Sequence, residues 1–378
     1  MNISEGYRPH SIAIAGAWGY IGRKLLDAAW DLGINIYVHD PGRVPADVPS
    51  DRVTRIDDAR AFYALPAPLF HLALHPEHRQ LGMQTLLRRT QAKSPLILNE
   101  KPMATPDRPA DCPDIIRATA AAGVAVLYDF PELFDDMTRR ILAFLQRFDR
   151  VRIAHMAFCR SKDREAKANP RNDKRMVPIQ YQESVHCLAF AIYLLSHVAG
   201  DMPSVFHEGL RANAVASSYQ PPNPEIYPYV VDGRCEYSLN VAGVSITGLT
   251  DFTAGAAWSK RRVIQGHADG QPFTIEADYL ENHKWLTING VAQPCDATAS
   301  SYVQIILNAW RWFQDVPVDR LMTGLYPNPR FAHVTYQLSS LLWRSAYDRD
   351  TITLDSMADL LAFDAGFAGL VDSFPHYA

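Results

Sequence analysis

The chain has 378 residues, 48% of them apolar and 21% charged. That composition excludes a disordered or collagen-like polymer and leaves room for two globular domains of about 100–200 residues each. The formal net charge is −4 with both signs interspersed, so no basic field exists to hold nucleic acid or an acidic bilayer, and a small molecule is the expected partner.

Five cysteines are scattered without paired spacing, which speaks against a zinc site or a disulfide framework and fits a reducing compartment. The N-terminus lacks a signal-peptide pattern, and no run of about 18 apolar residues occurs, so a cytoplasmic protein off the membrane is expected.

Residues 11–128 alternate short apolar runs with helical patterns. SIAIA (11–15), NIYVHD (35–40), PLFHLAL (68–74), PLILNE (95–100) and VAVLYD (124–129) read as strands, and their near-continuous apolar character marks a sheet covered on both faces. YIGRKLLDAAWDLG, QLGMQTLLRR and DIIRATAAAG lie between them and are long enough for right-handed crossovers. The expected fold over 1–128 is a Rossmann domain with a doubly wound parallel sheet.

After Asp129 the pattern changes. The spacing predicts one helix over 132–147, a strand near 150–159, a polar loop and a helix near 183–198. RCEYSLNV, GVSITGLTDF, KRRVIQGHA, QPFTIEADYL and KWLTING follow, separated by Gly, Asn or Asp, as an antiparallel meander. SYVQIILNAWRWFQDV and FAHVTYQLSSLLWRSAY carry helical spacing and would cover one face of that sheet. Residues 129–378 are thus expected to form an α+β domain with a large open, mainly antiparallel sheet. Such a domain would bind substrate, and its half-covered sheet would join copies into a homo-oligomer, a dimer or tetramer.

The segment IAIAGAWGYIGRKLL places Gly16, Gly19 and Gly22 directly after a strand and at the start of a helix. Gly16 permits the tight turn, Gly19 lets backbone approach a pyrophosphate, and Gly22 lets helix and strand pack closely. Trp18, Tyr20 and Ile21 stand inside the same turn and share the cofactor-binding assignment. Asp40 ends the next strand about twenty residues on, where a carboxylate accepts hydrogen bonds from ribose hydroxyls; this favours NAD. Arg43 could pair with a 2′-phosphate, so NADP stays open. The GxxGxxG spacing also occurs in extended short-chain dehydrogenases, but their Tyr-x-x-x-Lys pair is found here only as Tyr20 and Lys24, inside the cofactor turn itself.

LILNEKPMA puts Glu100, Lys101 and Pro102 at the carboxyl edge of the sheet, where open α/β folds bind ligands. With this tripeptide the chain resembles the glucose-fructose oxidoreductase, inositol dehydrogenase and MocA family (Gfo/Idh/MocA). The resemblance runs over nearly the whole chain: the glycine turn, the HPEH segment with His78, the EKP tripeptide, a histidine on the first long helix of the second domain, and the closing LSSLLWRSA…ITL pattern. It implies a nicotinamide-dependent oxidoreductase, cofactor contacts from His78, Glu100 and Lys101, and a cis Lys101–Pro102 bond. An ammonium at Lys101 can donate to a substrate oxygen and stabilise alkoxide character as hydride leaves the carbon.

His186 lies in QYQESVHCLAFAIYLL. A lone histidine on an apolar helix is more often a core residue than a catalyst, and it is the resemblance that makes His186 the expected general base. Members of the family commonly carry Asp four residues earlier, where this chain has Gln182, and another Asp three residues later, where it has Ala189. Gln182 can hydrogen-bond a hydroxyl but holds no negative charge; Glu183, one position on, points about 100° away on an ideal helix.

The cationic loop from Arg160 to Arg175 leads into this helix. It reads first as a solvated surface, with Arg160, Lys174 and Arg175, joined by Glu183, as candidates for an anionic or polar substrate group. His71, His75 and His78 match no closed zinc spacing, and no metal is expected. Trp258 and Trp285 read as packing residues that could also stack on a ring.

The expected reaction is hydride transfer between nicotinamide and a secondary alcohol or ketone of a sugar, nucleotide sugar or cyclitol. Two alternatives stay open: an internal-redox lyase or glycosidase that retains its NAD, and a non-catalytic NAD-binding sensor.

Overall fold

The computed structural model describes residues 8–48, 51–89, 94–166, 177–222, 231–255 and 257–370. Lys174 and Arg175 lie outside them. The chain divides into two compact units, one of Met1–Ala104, Ala110–Asp135 and Ser300–Ala332, the other of Thr105–Pro109, Asp136–Ala299 and His333–Ala378.

The first unit holds strands β1 (Ser11–Ala15), β2 (Asn35–His39), β3 (Val53–Arg55), β4 (Leu69–Leu72), β5 (Leu96–Glu100) and β6 (Val126–Asp129). They form a six-stranded sheet in the order β3-β2-β1-β4-β5-β6, parallel throughout. This is the doubly wound Rossmann order, which reverses direction between β1 and β4 and opens a crevice at the strands' carboxyl ends. The strands β1, β4, β5 and β6 are buried along their whole length, as their mainly apolar runs lead one to expect. The short β3, mostly polar and partly exposed, carries no such run.

The helix Ser301–Asp315 belongs to this unit, although the sequence pattern placed it on one face of the second domain's sheet. Ile305, Ile306, Ala309 and Trp310 form its buried stripe, packed against the Tyr20–Asp31 and Pro131–Phe134 helices. Asn308 Nδ2 donates to Phe134 O at 2.6 Å, and Trp312 meets the Phe134 ring at 5.0 Å between centroids. Helical periodicity shows that a face is buried but not against which layer.

The second unit carries β7 (Val151–Ser161), β8 (Leu210–Tyr219), β9 (Val231–Val241), β10 (Val244–Asp251), β11 (Ser259–Ala268), β12 (Gln271–Asp278), β13 (Trp285–Ile288), β14 (Val291–Ala292) and β15 (Ile352–Leu354). Their order is β14-β13-β12-β11-β7-β10-β9-β8-β15. Only β7 and β10 run parallel; the other pairs are antiparallel. Burial alternates along β9 with a period of two, so one face packs and the other stays open.

Three two-residue hairpins set the register: Ala242-Gly243, Asp269-Gly270 and Asn289-Gly290, each with positive φ at both positions. That geometry matches the twist of the flanking strands and favours Asn-Gly or Asp-Gly, which two of the three have.

The expected helix over 132–147 is broken at Asp135, where extended backbone (ψ 141°) separates Pro131–Phe134 from Asp136–Leu145. The break falls where one unit ends and the other begins. No helix of the described residues is long and apolar enough to cross a membrane.

Candidate active site

The glycine turn follows β1 directly. Gly16 has φ +77°, and a Cβ there would stand 2.7 Å from Ala73 O. A Cβ on Gly22 would meet Gly16 O at 2.1 Å and Ala17 Cα at 2.7 Å. Both positions are closed to a side chain by backbone rather than by movable groups.

Gly19 caps the Tyr20–Asp31 helix without a side-chain hydrogen bond, and the first turn holds no acidic residue. The positive end of this helix thus carries no side-chain cap and no acidic residue of its own, an arrangement that accepts a phosphate. Trp18, Gly19, Tyr20 and Ile21 are half-buried around it.

Asp40 follows β2 and ties the turn together. Its Oδ2 accepts from the Trp18 N–H at 3.0 Å and its Oδ1 from the Gly42 N–H at 2.8 Å. Each oxygen keeps a further lone pair for a ribose hydroxyl. Arg43 is exposed three residues on. These features fit a dinucleotide: a turn whose backbone leaves no room for a Cβ at Gly16 or Gly22, a helix end without a side-chain cap and an anchored carboxylate.

Gly22→Ala is expected to cost about 1–3 kcal/mol of stability, because helix and strand must part to admit the methyl group. Denaturant unfolding measures the loss. Asp40→Ala is expected to weaken NAD binding by about 1.5–3 kcal/mol, the scale of hydrogen bonds to a charged acceptor, and NADP binding by less. Paired fluorescence titrations with NADH and NADPH read the narrowed gap.

At the end of β5, Glu100 is buried and Lys101 half-buried, and the Lys101–Pro102 bond is cis, as the resemblance implies. Arg79, 3% exposed, donates from Nη2 to Pro102 O at 2.6 Å. His78 lies exposed on the Pro76–Leu87 helix, its ring 6.5 Å from that of His75.

A group of ionisable residues at this sheet edge escapes sequence reasoning. His71 at β4 brings Nε2 to 2.5 Å from Asp129 Oδ2, at the end of β6, and to 3.8 Å from Glu100 Oε1. The ligand atoms lie within 4.8 Å of one another. The charge of the buried Arg79 acts on all of them, so positive charge is already supplied and the group reads as an ionisable network rather than as metal ligands. Burial pushes the carboxyls of Glu100 and Asp129 up to about 7 and the imidazole of His71 down to about 4. The signal in the sequence is an ionisable residue within or ending each of three apolar strands.

In the second unit, His186 is the second residue of the Val185–Ala199 helix and 4% exposed. A π-helical turn, Gln180–Ser184, precedes it. Such turns are rare, are widened by i→i+5 bonding, and recur at functional sites; the apolar pattern contains no sign of it.

Its neighbours pin the turn. Gln180 Nε2 donates to Asp232 Oδ2 at 2.8 Å, Tyr181 Oη to Ser340 Oγ at 3.0 Å, and Ser184 Oγ meets Thr250 Oγ1 at 2.7 Å. Glu183 accepts from Arg160 Nε and Lys162 Nζ, both at 2.6 Å, with all three residues buried. Arg160 and Glu183 are thus brought together, and Gln182 sits half-buried between Tyr181 and Glu183 in the same turn. Trp258 and Trp285 are 42% and 37% exposed.

A scan against protein-family models gives no match, and no curated protein matches the sequence. Solved structures do match, at low identity. A myo-inositol dehydrogenase from Corynebacterium glutamicum is 13% identical, with a TM-score of 0.61, covering 92% of this chain and 99% of its own. An oxidoreductase from Agrobacterium radiobacter, solved with NAD+, L-tartaric acid and magnesium, is 16% identical with a TM-score of 0.61 over 91% and 98% of the two chains. A super-repressor mutant of Gal80p from Saccharomyces cerevisiae is 12% identical with a TM-score of 0.68 over 94% and 100%. The chain has the Gfo/Idh/MocA fold, a Rossmann unit followed by an open, mostly antiparallel sheet.

Proposed function

We propose that the protein is a nicotinamide-dependent oxidoreductase acting on a secondary alcohol or ketone of a sugar, nucleotide sugar or cyclitol. The observation that carries this reading is the carboxyl edge of the first sheet, where a turn shaped for a dinucleotide and Lys101 stand on strands of one parallel sheet.

When bound, the nicotinamide supplies hydride acceptance or donation at its C4. The N–H groups at the start of the Tyr20–Asp31 helix hold the pyrophosphate, and Asp40 takes the ribose hydroxyls, which favours NAD over NADP. Trp18, Tyr20 and Ile21 border that turn; His78, Glu100 and Lys101 are the further cofactor contacts.

Lys101 Nζ donates to the substrate oxygen and stabilises its alkoxide character. The His186 imidazole accepts the hydroxyl proton during oxidation and returns it during reduction. Gln182 offers the hydroxyl a neutral hydrogen bond where a carboxylate would add charge. Lys174 and Arg175 are proposed for the polar groups of the substrate, and Arg160 with Glu183 serves them by bracing the turn before His186. A homodimer or homotetramer through the second sheet is the proposed assembly.

Incubation with NAD or NADP and a panel of sugars, nucleotide sugars and cyclitols tests the reading. Reduced nicotinamide should accumulate with one class of alcohol. A second reading, a cofactor-binding sensor without turnover, is favoured by Gln182 at the position of the family's Asp and by the shared fold of Gal80p, a transcriptional regulator in its Kluyveromyces lactis form. It would show as tight cofactor binding with no chemistry across the panel.

A further inference from the structure

β4, β5 and β6 lie side by side, and their register sets Glu100 directly opposite Asp129. The His71 side chain is wholly buried, that of Asp129 is 2% exposed and that of Glu100 12%. Arg79 on the Pro76–Leu87 helix and Lys101, next along the chain, add their charges to the group, and Tyr128 on β6 and Cys112 on the Asp111–Ala122 helix act on Arg79. Asp129 Oδ1 and His71 Nδ1 make no hydrogen bond to any described residue. Two carboxylates held this close and this dry cannot both carry charge cheaply.

We propose that Glu100, Asp129 and His71 form one proton-sharing unit, with a single proton held between the two carboxyls and His71 donating to Asp129, and that the unit positions the ammonium of Lys101 and sets its charge. This rests on the reading of Lys101 as the residue that meets the substrate oxygen. The three are positioning residues.

Burial, then the Asp129 charge, raises Glu100; burial raises Asp129, and a hydrogen bond with Glu100 opposes that rise. Burial keeps the His71 ring neutral, so its Nε2–H is available to Asp129 Oδ2. Below about pH 7 the pair carries one charge or none, and above it the second carboxyl ionises beside Lys101. The sign follows: a carboxyl raised in the folded state favours folding at low pH and loses that contribution as pH rises through about 7.

The test is an infrared pH titration of the full chain without substrate, run with the pH profile of Lys101 reductive methylation read at its peptide by mass spectrometry. The wild type should show a protonated carboxyl that ionises near neutral pH and an inflection in Lys101 reactivity at the same pH. Glu100→Gln and Asp129→Asn should each remove both signals.

If the wild type keeps no protonated carboxyl at neutral pH, or if the Lys101 profile is the same in both variants, the proposal is overturned. The wild-type titration decides even where a variant fails to fold. Neither signal requires turnover: both signals present while Lys101→Ala retains full activity would overturn the functional reading of Lys101 alone.

Discussion

Lys101→Ala is expected to lower turnover by about a thousandfold, within the range of a lost acid–base or charge-stabilising group. NAD affinity should stay nearly unchanged, because the glycine turn and Asp40, proposed to carry most of the cofactor's contacts, are built from other strand ends. The side chain is half-buried next after β5, and denaturant unfolding of the variant separates a loss of turnover from a loss of fold. The loss should fall on kcat and on kcat/KM together, the mark of an interaction made in the transition state. Lys101→Arg keeps the charge but changes its shape and reach, and should recover only part of the rate. Full activity in Lys101→Ala would remove the proposed mechanism.

Glu183→Ala is expected to cost about 3–5 kcal/mol of stability, because it removes the carboxylate that two buried cations share. Arg160 and Lys162 are 3% and 7% exposed and share the two Glu183 oxygens at 2.6 Å each. The carboxylate offsets part of the desolvation of both cations, and that share would be lost. The π-helical turn would loosen at the same time, since Glu183 is one of its anchors. Glu183→Gln keeps a hydrogen-bond acceptor and should fall between the two. Denaturant unfolding with a linear extrapolation measures the difference; an unchanged midpoint would mean that water reaches both cations.

The Rossmann unit was legible because its signals are local. Strands buried on both faces are mainly apolar, and Gly22 is dictated by backbone within a few residues of itself. The hairpins at Asp269-Gly270 and Asn289-Gly290 announce themselves by residue type, whereas Ala242-Gly243 places an ordinary residue at φ 53°. What stayed hidden depends on neighbours far along the chain. His71 and Asp129 are 58 residues apart, and Asp129 by itself marks only the end of a strand. Glu183 is a polar residue on a helix until Arg160 and Lys162 are seen to close on it. The π-helical turn depends on tertiary anchors from three strands and a helix, which no helical periodicity encodes.

The most direct measurement follows the hydride itself. The protein with bound NAD would be mixed with sugar-like alcohols deuterated at the carbinol carbon and quenched after a single turnover, and the nicotinamide would be weighed by mass spectrometry. Deuterium on the nicotinamide with one class of alcohol, absent in Lys101→Ala, is the expected result when the quench falls before any reoxidation of the cofactor. Saturating NAD binding with no deuterium transferred from any alcohol would contradict an oxidoreductase and leave a cofactor-binding sensor.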